Sequence, residues 1–118
     1  MKYSIPDKRE LSETEKEFLT FIFNSEKPEW IGLIDILKVI ARCGCGECPS
    51  IIFGENYNSD YQNGKLIIDL QAEGLKGEKI GISVFGTDEM PTELEFYSID
   101  GENEFKEIPA IKTFKRIN

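Results

Sequence analysis

Arg42-Cys43-Gly44-Cys45-Gly46-Glu47-Cys48-Pro49-Ser50 is the most chemically suggestive stretch of the chain. Cys43, Cys45 and Cys48 bring three thiolates together, three of the four ligands of a tetrahedral zinc site. The fourth ligand must be Glu47 or another acid, water, or a group from a second chain, because the sequence has no further cysteine and no histidine. Zinc at this turn is the candidate cofactor, and no other is expected. A four-cysteine iron–sulfur site within one chain is excluded. Cys45-Gly46-Glu47-Cys48 also has C-x-x-C spacing, but a redox motif of that kind opens a helix. Pro49 and the apolar run Ile51-Ile52-Phe53 predict a strand there instead. The remaining reading is a set of reduced, partly buried thiols in a glycine-rich turn. In a hairpin, Cys43 and Cys48 would face each other closely enough for a disulfide under oxidation.

Acidic side chains are the second chemical resource. The 118 residues carry 22 acidic and 14 basic groups, for a formal charge of −8. The imbalance is local: residues 43–104 hold three basic and thirteen acidic groups, a net of −10, whereas residues 105–118 are net +3. Asp88, Glu89, Glu93, Glu95, Asp100, Glu102 and Glu104 follow one another with no Lys or Arg among them. A field of one sign accelerates association with an oppositely charged partner and sets specificity by complementarity. Tyr97 sits among these acids and is a residue type enriched at binding hot spots. Asp88, Glu89, Glu93, Glu95, Tyr97, Asp100, Glu102 and Glu104 are therefore the candidate contacts for a basic protein partner. The competing reading is a solvated acidic face that keeps a small protein soluble.

Several functions are disfavoured. With no histidine, the usual general base at neutral pH and the common nucleophile-activating dyads are missing. There is no phosphate-binding G-x-x-x-x-G-K-[ST] loop, and Gly44-Cys45-Gly46 does not extend to G-x-G-x-x-G because Pro49 occupies the third position. No G-x-S-x-G elbow occurs. Nothing in the sequence around the acidic pairs Asp88/Glu89 and Glu93/Glu95 would tune them as catalytic carboxylates. An enzyme is not expected. A pI near 4.6 argues against nucleic-acid binding and against docking on an anionic membrane. The beginning of the sequence has no signal-peptide pattern and no run is long enough for a membrane helix, so a reducing cytoplasm is the expected location.

These groups must be positioned by a single α+β domain over residues 1–118. Ser12-Glu13-Thr14-Glu15 has the form of a capping box. Leu11, Phe18, Leu19 and Ile22 recur at helical spacing, predicting an amphipathic helix over about 13–25. Pro28 suits the first turn of a second helix, with Trp30, Leu33, Ile34 and Leu37 on one side. Residues 38–43 and 50–53 read as a hairpin around the cysteine turn. Lys65–Ala72 alternates, with Leu66, Ile68, Leu70 and Ala72 on one face. Lys79–Phe85 does the same with Ile80, Ile82 and Val84. Thr92–Ser98 places Leu94 and Phe96 inward and Glu93, Glu95 and Tyr97 outward. Residues 105–118, with Phe105, Ile108, Ile111, Phe114 and Ile117, form either a last strand or a docked helix. The expected architecture is two N-terminal helices packed on one face of an antiparallel β-meander of about five strands. A free strand edge would also permit a homodimer or strand addition by a partner.

The capped helix start Leu11-Ser12-Glu13-Thr14-Glu15, the turn Arg42-Cys43-Gly44-Cys45-Gly46…Cys48-Pro49-Ser50 and the strand Glu93-Leu94-Glu95-Phe96-Tyr97-Ser98-Ile99-Asp100-Gly101-Glu102 resemble, in that order, a group of small bacterial α+β proteins. The pattern in that group is a tighter Cys-Gly-Cys-Gly-Cys-Pro turn; here Glu47 is inserted. The profile as a whole is similar to immunity proteins of contact-dependent and polymorphic toxin systems, which are small, acidic and without catalytic residues. That likeness implies a cytoplasmic inhibitor that occludes a basic toxin domain stoichiometrically. The alternative expectation is a structural module centred on the cysteine turn and dependent on zinc or thiol chemistry.

Overall fold

The computed structural model describes residues 4–43, 50–58, 64–74, 79–99 and 111–116. They form an α+β structure in which one helix and a short helical segment lie against an antiparallel seven-stranded sheet. The strands are β1 (Ser4–Glu10), β2 (Lys38–Cys43), β3 (Ile51–Gly54), β4 (Lys65–Gly74), β5 (Lys79–Gly86), β6 (Pro91–Ser98) and β7 (Ile111–Arg116). Their order across the sheet is β1-β2-β3-β6-β5-β4-β7. This is not the five-stranded meander expected. Only β4-β5-β6 is a meander, and β6 then pairs with β3, which belongs to the earlier run β1-β2-β3.

Helix α1 (Glu13–Glu26) begins at the expected capping box. The Ser12 hydroxyl accepts from the Glu15 amide at 3.1 Å, and the Glu15 carboxylate accepts from the Ser12 amide at 2.8 Å. Two donors that a helix start leaves without intrahelical partners are thereby satisfied. The same carboxylate takes a forked pair of bonds from Arg9 on β1, at 2.7 and 2.9 Å, which ties the edge strand to the helix. Burial pushes the Glu15 carboxyl up, but the Arg9 hydrogen bonds and the Ser12 amide outweigh it and hold the group below the usual carboxylate range.

The second helix is absent as an α-helix. Pro28–Leu33 is a 3-10 segment, closed by a turn in which the Ile36 and Leu37 amides donate to the Leu33 carbonyl. The apolar spacing still succeeds, since Trp30, Ile34 and Leu37 are all buried. What fails is the helix type: only eleven residues separate the end of α1 from β2, and Gly32 weakens any α-helix across the gap.

The core lies between α1, the 3-10 segment and one face of the sheet. Phe18, Leu19, Ile22 and Phe23 of α1 meet Val39, Ile51, Phe53, Ile68, Leu70, Ile82, Val84, Leu94 and Phe96. The Phe18 and Phe96 rings meet at a tilt with centroids 5.2 Å apart, and Phe23 meets Trp30 edge-on at 5.5 Å. The expected inward set of β4 holds for Ile68, Leu70 and Ala72 but not for Leu66, which is 47 % exposed. A bulge between Leu66 and Ile68 shifts the pairing with β5 and turns Leu66 away. Of the two forms expected for residues 105–118, Ile111–Arg116 is a strand, antiparallel to β4.

Candidate interaction face

Strand β6 carries the residues with the clearest claim to a binding role. The expected inward pair, Leu94 and Phe96, is buried in the core. Glu93, Glu95 and Tyr97 therefore share the opposite face. The environment of these three differs from expectation. Glu93 is only 2 % exposed, so it is not a solvent-facing acid. It lies in an interior strand, in register with Ile52 of β3 on one side and Phe85 of β5 on the other. Glu95 is partly buried and Tyr97 is exposed. Burial and then the neighbouring Glu93 raise the Glu95 carboxyl above its usual range.

Two cross-strand rows complete this face. Asp69, Ser83 and Glu95 are in register across β4, β5 and β6. The Ser83 hydroxyl donates to Asp69 Oδ1 at 3.4 Å. Gln71, Gly81 and Tyr97 form the next row. A Cβ added to Gly81 would fall within the Tyr97 ring, so the ring lies directly on the bare β5 backbone. Basic residues flank the rows at two register positions, Lys79 opposite Glu73 and Lys115 opposite Gln71.

Asp88 and Glu89 sit at the far end of β6, in the β5–β6 turn, and both are exposed. Thr87 builds that turn: its hydroxyl accepts from the Glu89 and Met90 amides, and its amide donates to the Met90 carbonyl at 2.9 Å. Asp88 pairs with Lys65 at 3.3 Å, with both side chains in solvent.

The structure thus separates the predicted set. Glu93, Glu95 and Tyr97 line one face, Asp88 and Glu89 stand on a turn at one end, and Glu93 is removed from contact with solvent. Asp100, Glu102 and Glu104 lie outside the described residues, as do Cys45 and Cys48. Cys43 is the last residue of β2, in register with Ser4. Asp69, Gly81 and Ser83 were not singled out by sequence, although the alternation of β4 and β5 already assigns them to the face opposite the core. Among the described residues no helix is long and apolar enough to cross a membrane. The chain matches no protein-family model, no curated protein and no solved structure.

Proposed function

We propose that this is a small acidic binding protein, an immunity-type inhibitor that neutralises a basic toxin domain by stoichiometric occlusion. Charge placement carries the reading. Among the described residues of 79–99, Lys79 stands alone against Asp88, Glu89, Glu93 and Glu95. The exposed turn acids steer a basic partner toward the sheet. Glu95 then offers a partly desolvated carboxylate, where a charged hydrogen bond is stronger than in open water. Tyr97, supported by the backbone at Gly81, supplies a flat aromatic anchor. Glu93 acts from behind this surface and does not touch the partner.

The test is a tagged pull-down eluted with a salt gradient, followed by binding kinetics with the partner it identifies. Asp88→Lys with Glu89→Lys should slow association and flatten its salt dependence, because both side chains are exposed and the Lys65 pair is worth little to folding. Tyr97→Ala should mainly speed dissociation. Unchanged association and salt dependence in the double lysine variant would reject the proposal.

A further inference from the structure

Gly81 gives Tyr97 a fixed seat. A Cβ at this glycine would meet Tyr97 Cζ first and then Cε2 and Cε1 almost equally. A point so placed lies above the plane of the ring, so one face of the phenol end rests flat on the β5 backbone. The other face turns outward, and the residue is 37 % exposed. A fixed aromatic face attracts cations, because the ring's quadrupole is negative there. The fold uses such a contact within itself: Lys27 Nζ lies 5.1 Å from the centre of the Trp30 ring. Among the described residues no cation lies over the Tyr97 ring in this way.

We infer that the outward face of Tyr97 receives an arginine side chain of the basic protein partner, its guanidinium stacked on the ring and forked to the carboxylate of Glu95. The seat rests on the inhibitor reading above and names the partner group that it takes. Charge complementarity selects a cation. The row beside Tyr97 holds Asp69, Ser83 and Glu95, two acids and no base. On the other side Lys79 stands opposite Glu73, so acid and base cancel there. Lys115 is in Tyr97's own row but three strands away, about 14 Å at the usual strand spacing. Spacing then selects arginine over lysine. Alternate residues on one face of a strand lie about 6.6 Å apart, which sets Glu95 beside the ring and not under it. A planar guanidinium can lie parallel to the ring and point its edge donors at a carboxylate to one side. An ammonium is a compact, strongly hydrated charge and gains less from a flat face.

Titration of the full, isotope-labelled chain with N-acetyl-arginine amide, followed by amide NMR, tests this before any partner is known. The Gly81 and Glu95 amides should shift together, and N-acetyl-lysine amide should bind there more weakly, by about twofold or more. Tyr97→Leu keeps Gly81 covered but removes the ring. It should weaken arginine binding by about two- to fivefold, the factor that an exposed cation–π contact supplies. Tyr97→Phe should retain the binding. Equal affinity for the two probes, no shift at Gly81, or undiminished binding in Tyr97→Leu would overturn the inference and leave Tyr97 as a cover for the glycine alone. If the arginine probe binds as expected but the salt-eluted pull-down yields no basic protein, the seat stands and the inhibitor reading falls. If a basic protein is captured and the double lysine variant slows its association while the probe leaves Gly81 unshifted, the inhibitor reading stands and the seat falls.

Discussion

Removing Arg9 should expose how much of the fold hangs on one carboxylate. Glu15 has a side chain only 8 % exposed, and its oxygens receive Arg9 Nη1 at 2.7 Å, Arg9 Nη2 at 2.9 Å and the Ser12 amide at 2.8 Å. Arg9→Ala strips the bond to Oε2 and one of the two to Oε1. A hydrogen bond to a charged group contributes about 1.5–3 kcal/mol. The Arg9 side chain is 38 % exposed, so water enters where the guanidinium was and recovers part of both bonds. The expected net loss is about 2 kcal/mol, near 8 °C in Tm for a domain of this size. Glu15→Ala also removes the return arm of the capping box, and should cost about 3 kcal/mol. Combining the two should give less than the sum, with a coupling of about 1.5 kcal/mol from the double-mutant cycle. Urea unfolding with linear extrapolation measures each value. The pH dependence has a definite sign. Glu15 titrates below its usual range when folded, so the unfolded chain binds more protons in that window. The contribution is present above the unfolded value and is lost as pH falls through the folded one. Arg9→Ala should flatten this acid limb. A loss under about 0.5 kcal/mol for Arg9→Ala, or a coupling near zero, would refute the view that Arg9 and Glu15 clamp β1 to α1.

Other perturbations follow from buried groups and close approaches. Thr92 is buried with a hydroxyl oxygen that has no hydrogen-bond partner among the described residues, so Thr92→Val should stabilise the protein by about 1 kcal/mol in urea unfolding; a clear loss would contradict the burial of an unpaired hydroxyl. A Cβ at Gly86 would lie 2.7 Å from the Met90 carbonyl oxygen and 2.8 Å from Trp30 Cη2, both fixed by their surroundings. Gly86→Ala should therefore cost about 3 kcal/mol. At Gly81 the obstacle is the exposed Tyr97 ring, which can swing away, so Gly81→Ala should cost only about 1 kcal/mol. The reverse ranking in the same unfolding assay would refute this account of the two glycines.

Sequence patterning exposed the elements whose two faces differ. The capping box, Ile68, Leu70 and Ala72 of β4, the inward residues of β5, and the hairpin of β2 and β3 all follow from period and turn chemistry. Strand β1 was not legible. Pro6 and the charged run Asp7-Lys8-Arg9-Glu10 carry no apolar alternation, because an edge strand is selected for polarity and lack of pairing. The misassigned second helix has apolar spacing that suits either helix type, and the shortness of its connection decided between them. The candidate face failed at Glu93 for a different reason. Alternation assigns a residue to one side of a strand, but whether that side meets solvent depends on which strands flank it. Only the β3–β6 pairing brings Ile52 alongside Glu93, and that pairing joins segments far apart in sequence.

The strand order also governs how the chain can be sealed as it leaves the ribosome. Synthesis runs from β1 onward, and local segments fold as they emerge. Strand β3 ends at Gly54, yet its partner begins at Pro91, so β3 keeps an open backbone edge while 36 intervening residues are made. Strand β4 is completed by β5 on one side but waits for Ile111–Arg116 on the other. Each waiting edge is a template for strands of neighbouring nascent chains. The stretch of β4 that β7 covers, Leu70–Gly74, is longer than the two-pair β3–β6 contact, so slow arrival of β7 is the interval in which newly made copies are most apt to associate.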